Sequence, residues 1–120
     1  MQYFLFVFLG GGLGSLCRYA LARVIPDNAT FLYGTFIANV LSSLLLGIIV
    51  GFGLKNNMTT DARLFFITGF CGGFSTFSTF SEEALQLIES GNYFAFLNYT
   101  IWSIVICIGC ISLGVKLSSG

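Results

Sequence analysis

Apolar residues dominate this chain in four long runs, which short polar turns separate. The runs cover residues 3–25, 31–54, 61–89 and 93–117. Each run is long enough to cross a hydrocarbon core of about 30 Å, which takes about 20 helical residues. The pattern therefore predicts an all-α membrane protein with four transmembrane helices in a single domain, 1–120, and with both termini on one side.

Turn and capping residues set the predicted ends of two of these helices. The first helix is predicted to stop at Pro26, the only proline, and the polar residues 27–28 that follow it. The third helix is predicted to start at a cap formed by Thr59, Thr60 or Asp61, because such side chains accept hydrogen bonds from the first helical amides.

Composition supports a membrane location. Of the 120 residues, 56% are hydrophobic and only 8% are charged, and the mean hydropathy is +0.91. Soluble domains carry about 25% charged residues, so this chain has too few charges to cover a surface that faces water. We expect a multi-pass protein of the cell membrane in contact with lipid. The net charge of zero argues against a nucleic-acid partner.

Basic residues give only a weak signal for orientation. Three of them, Lys55, Arg63 and Lys116, lie toward the side of the termini, against Arg23 and Arg18 toward the other side. The positive-inside rule needs a stronger bias than this to fix an orientation. Two hypotheses stay open: a single orientation, or insertion in both orientations with antiparallel pairing of two copies.

The third run contains the most unusual segment, GGFSTFSTFSEE, which covers residues 72–83. Phenylalanine recurs at every third position from Phe74, and hydroxyl residues fill every position between. Because Gly72 and Gly73 have low helix propensity, the pattern predicts a break in the helix at mid-membrane. Carbonyls freed there cannot face lipid, so they must be buried in protein or bind something such as a cation.

Polar residues inside a membrane span are functional candidates by default. Hydroxyls donate hydrogen bonds and phenyl edges carry positive potential, so a path lined by both could solvate a small anion. Outside the third run the candidates are Arg18, Asn39, Tyr99 and Ser103, with Cys107 continuing the face of the last two. Simpler interpretations also stay open, including snorkelling of the arginine to the interface and hydrogen bonds made only for helix packing.

Cys107 and Cys110 form a C-x-x-C pattern, and the chain has no histidine to complete a metal site. Because both cysteines lie in an apolar run, we interpret them as small packing residues and not as a redox or metal site. The sequence contains no arrangement that predicts an enzyme.

Three segments give the chain a family resemblance: GGGLGSLCRY at 10–19, YGTFIANVLSSLLLG at 33–47, and GFCGGFSTFSTFSEE at 69–83. In this order, on a chain with four spans, they resemble the Fluc/CrcB fluoride channels over essentially the whole length. The resemblance implies an antiparallel, dual-topology homodimer in the cell inner membrane. It also implies two pores that passively export cytoplasmic fluoride, and a central sodium ion that is structural and not transported.

The resemblance also assigns residues. The sodium ion would be held by the backbone carbonyls of Gly72 and Ser75. The fluoride pathway would include Arg18, Asn39, Phe77, Ser78, Thr79, Phe80, Glu83, Tyr99 and Ser103. Cys107 departs from the family pattern, because a hydroxyl is expected at its position.

Two other functions are compatible with a chain of four spans. One is a small proton-coupled multidrug exporter, which can also form an antiparallel dimer; its mid-membrane glutamate in the first helix is missing here, where Arg18 lies instead. The other is an assembly subunit that transports nothing and uses polar residues only for packing. Neither accounts for Asn39 and the alternation of phenylalanines and hydroxyls together.

Overall fold

A computed structural model describes residues 2–26 and 32–120. Within them, four helical spans are long and apolar enough to cross a membrane, as predicted. The first two are α1 (Gln2–Val24) and α2 (Tyr33–Lys55). The predicted turn residues 27–28 and the predicted start of the second helix at Phe31 lie outside the described residues.

The third span, Thr60–Glu89, is a series of helical pieces. They are α3 (Thr60–Arg63), a π-helical segment (Leu64–Cys71), α4 (Gly72–Phe74) and α5 (Phe77–Glu89). The Thr59 hydroxyl caps the start by accepting a hydrogen bond of 3.1 Å from the Ala62 amide, which selects Thr59 among the three predicted caps. The last span is α6 (Tyr93–Ser119).

The break in the third span lies at Ser75 and Thr76. Both have extended backbones, with φ and ψ of −83° and 158° at Ser75 and −150° and 120° at Thr76. The predicted break is therefore confirmed, but it begins after the Gly72-Gly73 pair, which remains helical. Gly73 has a packing role instead, because a Cβ there would collide with the Gly11 carbonyl of α1.

Glycines also let the other helices approach closely, at the G-x-x-x-G spacings of Gly10 with Gly14 and Gly47 with Gly51. A Cβ at Gly10 would meet the backbone of Phe65 in the π-helical segment, and one at Gly47 would meet the backbone of Ile111 in α6. The chain thus forms two packed pairs, α1 with the first half of the third span and α2 with α6. The break lies where the two pairs meet.

A small cluster of buried side chains lies where α5 packs against α6. It consists of Phe80, Leu87, Ala95 and Tyr99, and Tyr99 is completely buried. Most other large apolar side chains point outward, which is the expected arrangement for helices surrounded by lipid.

Candidate functional site

The side-chain amide of Asn39 in α2 makes two hydrogen bonds to the backbone at the break, one through its oxygen and one through its nitrogen. Its Oδ1 accepts a hydrogen bond of 2.8 Å from the Thr76 amide, and its Nδ2 donates one of 3.3 Å to the Thr76 carbonyl. The break would otherwise leave these two groups unpaired in a medium without water, at a cost of about 1–3 kcal/mol each. Asn39 therefore stabilises the extended conformation at the break.

The break also removes the usual helical donors from the carbonyls at positions 72–75, because the amides at positions 76–79 no longer continue the helix that ends at Phe74. In a continuous helix the amide of Thr76 would bind the carbonyl of Gly72, four residues earlier, but it binds Asn39 instead. In the same way the Thr79 amide, four residues after Ser75, binds the Thr76 hydroxyl at 3.2 Å. The carbonyls of Gly72 and Ser75 thus lose their helical donors, and these are the two carbonyls that the resemblance assigns to sodium.

Neighbouring carbonyls at the break have donors from other helices or from side chains. The Cys71 carbonyl accepts hydrogen bonds from the hydroxyls of Ser42, at 3.1 Å, and Ser75, at 2.8 Å. The Gly73 carbonyl accepts one of 3.1 Å from Nε of Arg18. Side-chain donors therefore reach the Cys71 and Gly73 carbonyls on either side of Gly72, whereas the carbonyls of Gly72 and Ser75 have lost their helical donors.

The Arg18 side chain points into the protein. It therefore does more than snorkel to the membrane interface. Besides binding Gly73, it lines a small cavity of about 140 Å³ together with Thr79 and Glu83. Thr79 and Glu83, four residues apart on α5, thus share one face of that helix. A guanidinium at this position would raise the local concentration of anions near the break.

A larger groove of about 230 Å³ opens on the other side of the break. Its lining consists of Asn39, Ser43, Ser75, Thr76, Phe77, Phe80, Ser103, Ile104 and Cys107. The groove therefore offers hydroxyl and amide groups, and none of its lining residues within the described part of the chain is charged. Thr76 lines both the groove and the Arg18 cavity.

Ser103 has an unusual environment for a serine in an apolar helix. The residue is only 5% exposed, and its hydroxyl has no hydrogen-bond partner. A buried hydroxyl without a partner is costly unless something else binds it. Ser103 lines the groove, so a ligand bound there would lie beside this unpartnered hydroxyl.

Aromatic rings form a continuous row from the groove into the buried cluster. The ring centroids of Phe77 and Phe80 lie 6.0 Å apart, and those of Phe80 and Tyr99 lie 5.1 Å apart. Phe80 is 9% exposed, whereas Phe77 is 80% exposed. At the end of the row, the Tyr99 hydroxyl donates a hydrogen bond of 3.0 Å to the Glu83 carboxylate.

The predicted pathway residues therefore fall into two groups around the break. Asn39, Phe77, Phe80 and Ser103 line the groove, whereas Arg18, Thr79 and Glu83 line the smaller cavity, and Tyr99 contacts members of both groups. Ser78 is exposed and lies apart from both linings, with its hydroxyl 3.4 Å from that of Thr76. Their role in a pathway stays a prediction.

Sequence reasoning missed Thr76 and Ser43. Thr76 had no distinguishing mark among five similar hydroxyl residues, although it makes the most important contacts at the break. Ser43 follows Ser42 in an apolar stretch and lies four residues after Asn39, on the same helix face. That spacing could have identified Ser43 as a second lining residue of α2.

Comparison with known proteins shows the family. The family described as "CrcB-like protein, Camphor Resistance (CrcB)" matches residues 5–115. A protein of Phocaeicola vulgatus named "Fluoride-specific ion channel FluC" is 43% identical over 120 residues, which cover 98% of this chain and 99% of the relative. The chain belongs to the CrcB family.

Other CrcB relatives carry the same name in distant organisms. The protein of Pyrococcus furiosus is 42% identical and covers 93% of this chain and 92% of its own length. The protein of Bacteroides fragilis is 39% identical over a stretch that covers 88% of this chain and 87% of the relative. The relatives are named ion channels, which agrees with the prediction that this CrcB chain is not an enzyme.

Proposed function

We propose that this protein is a fluoride-selective channel. The CrcB relatives are named for fluoride, and the groove beside the break is the observation that carries the proposal. Hydroxyl, amide and aromatic groups line it, with no charged side chain among the described lining residues, in a chain otherwise built for contact with lipid. An anion held by neutral donors binds well enough to enter and weakly enough to leave.

Each group in the groove has a distinct part in this mechanism. The unpaired Ser103 hydroxyl donates to fluoride directly. The edge of the Phe80 ring offers positive potential to the ion, and its packing on Tyr99 fixes that ring in place. Arg18 and the small cavity it lines attract the anion at one end.

The channel is proposed to be an antiparallel homodimer with two pores. Several residues of the third span support a partner copy, because they would be unfavourable in contact with lipid. Gly72, Ser78 and Ser81 are exposed in the single chain at or beside the break, and polar groups in a span must face protein or water. A second copy of the chain would cover them and close each groove on its open side.

A structural sodium ion is proposed at the centre of this dimer. The carbonyls of Gly72 and Ser75 fit such an ion, because the break has diverted their helical donors to other acceptors. Carbonyl oxygens are suitable ligands for a hard cation. The ion would neutralise the partial negative charge of these carbonyls, while Arg18 does the same for Gly73.

Passive conduction sets the direction of transport. A membrane potential that is negative inside drives an anion outward through an open pore. We therefore propose that the protein exports cytoplasmic fluoride and confers fluoride resistance, and that it resides in the cell inner membrane.

Fluoride efflux from liposomes tests the proposed function. Vesicles containing the purified protein and potassium fluoride are diluted into fluoride-free buffer, and valinomycin is added to let potassium balance the charge. We expect fluoride to leave rapidly after valinomycin and chloride to stay inside. Efflux equal to that of empty liposomes would disprove the channel, and efflux that needs a proton gradient would indicate an exporter instead.

The sodium ion needs a separate test. Replacing sodium by N-methylglucamine on both sides of the membrane is expected to abolish fluoride efflux, and returning millimolar sodium to restore it. Tracer sodium should not cross the membrane with the fluoride. Full efflux without sodium would contradict the proposed ion and leave the channel itself unaffected.

A further inference from the structure

The groove has a chemical feature that the family pattern does not anticipate, a free thiol. All four cysteines are free, and they differ in accessibility: Cys17 is exposed, Cys71 is buried, and Cys107 and Cys110 are intermediate. Among the described lining residues of the groove, Cys107 is the only cysteine. Ser43 of α2 lines the same groove.

A second observation shows that the space beside this thiol can accept a ligand. Ser103 lies one helical turn before Cys107 and lines the same groove. Ser103 is only 5% exposed, and its hydroxyl has no hydrogen-bond partner. The groove volume of about 230 Å³ is several times the ~30 Å³ that a water molecule occupies in the liquid. A small molecule therefore fits beside both side chains.

The lining determines which molecules can reach the thiol. Over residues 2–26 and 32–120, no charged side chain lines the groove, and the groove lies within the membrane spans. A charged reagent would lose its hydration there without a compensating partner. Small uncharged electrophiles are therefore favoured, because they can enter from the lipid or along the pore.

We propose that Cys107 is a site of covalent modification by small, uncharged thiol-reactive compounds, and that modification there closes the fluoride path. The modification itself follows from the groove, whereas the closure rests on the proposed function. An added group beside Ser103 and Phe80 fills the space that the ion would use, and occupies the region of the unpaired hydroxyl.

Methyl methanethiosulfonate is a suitable probe, because it is neutral and adds only a methylthio group. The Cys107 thiol loses its proton to solvent, and the thiolate attacks the divalent sulfur of the reagent. A new disulfide bond forms as the sulfur–sulfur bond of the reagent breaks. Methanesulfinate leaves with the electron pair, and no external oxidant is required.

The experiment combines labelling with transport in the same vesicles. Wild-type protein, Cys107→Ser and Cys17→Ser are reconstituted and treated with the reagent, and each efflux is compared with that of its own untreated sample. Peptide mass spectrometry locates the added methylthio groups. Cys17→Ser is the matched control, because Cys17 is exposed on α1 outside the groove.

We expect labelling at Cys107 and a loss of efflux by about tenfold or more in wild type and Cys17→Ser, as for a barrier raised by about 1.4 kcal/mol. Dithiothreitol should restore efflux by removing the group. Cys107→Ser should keep its own untreated rate.

Other outcomes overturn the proposal. An unlabelled Cys107 in a sample whose Cys17 is labelled would show that the thiol is not accessible. Labelling at Cys107 without loss of efflux would show that the ion does not pass it, and a sensitive Cys107→Ser would place the block elsewhere. Absence of efflux before treatment would count against the proposed function, while the mass spectra would still decide whether the site reacts.

Discussion

At the scale of single residues, two phenylalanines with the same sequence context have different environments. Phe80 is 9% exposed and packs on Tyr99, whereas Phe77 is 80% exposed in the single chain. The repeat in the sequence places them three residues apart on α5, and their ring centroids lie 6.0 Å apart. The repeat could not predict the difference in burial. The burial of Phe80 depends on its packing against α6, a separate helix that follows the turn after α5.

Replacing Phe80 by isoleucine tests the contribution of the ring edge. Isoleucine keeps an apolar side chain at the contact with Tyr99 but removes the aromatic quadrupole. We expect fluoride efflux to fall about tenfold or more, with the elution volume on size-exclusion chromatography in detergent unchanged from that of the wild type. Phe94→Ile is the control, since Phe94 is 82% exposed on α6. Equal efflux in the two variants would remove the Phe80 ring from the pathway.

At the scale of helices, the break depends on contacts between residues far apart in sequence. Asn39 and Thr76 are 37 positions apart, and the sequence marks each of them only as a polar residue in a span. The low helix propensity of the glycine pair correctly predicted that a break occurs. It gave the wrong starting point, because Gly73 is needed for the approach of α1 and Asn39 determines which amide leaves the helix.

Asn39→Ala should therefore destabilise the break. The variant leaves the amide and carbonyl of Thr76 without the bonds of 2.8 and 3.3 Å that they now make. We expect a loss of about 1–3 kcal/mol for each group left unpaired, seen as a lower melting temperature in detergent, together with reduced fluoride efflux. Asn98→Ala, on the exposed face of α6, is the control. An unchanged melting temperature in Asn39→Ala would mean that water or another group replaces the side chain.

The packing of α1 gives a second prediction at this scale. An alanine at Gly14 would collide with the backbone of Phe70, whereas one at Gly12 would meet nothing within 4 Å. Gly14→Ala is expected to cost about 1–3 kcal/mol through overpacking. Gly12→Ala is expected to be neutral or to gain up to about 1 kcal/mol from helix propensity. Thermal unfolding of both variants in the same detergent decides this, and equal loss in both would contradict the proposed contact.

At the scale of the whole molecule, the single chain exposes polar groups within its third span. Ser78 and Ser81 are exposed on α5, and the groove is open on one side. The four spans were predictable from hydrophobicity alone, because backbone groups in lipid must be paired within each helix. The hydrophobic pattern of a single span does not predict whether two chains pair. The weak charge bias of Lys55, Arg63 and Arg23 leaves the orientation undecided.

Added charge at the turns tests whether two orientations are needed. Asn56→Lys with Asn57→Lys places positive charge on the side of the termini, and Glu89→Lys with Asn92→Lys places it on the other side. By the positive-inside rule each double variant should insert mainly one way, which protease digestion of a terminal tag can measure. We expect each variant alone to lose fluoride efflux, because no antiparallel partner is present.

Co-expression of the two variants is the decisive step, because it supplies both orientations again. Efflux should return when they are purified together, and pull-down of one tag should recover the other. The control is Asn56→Gln with Asn57→Gln, which changes the same turn without charge and should conduct like the wild type.

A single variant that inserts in one orientation and still conducts would show that the functional assembly is parallel. The polar face of α5 would then be covered by a parallel neighbour, and the carbonyls of Gly72 and Ser75 could not face their counterparts across an antiparallel axis.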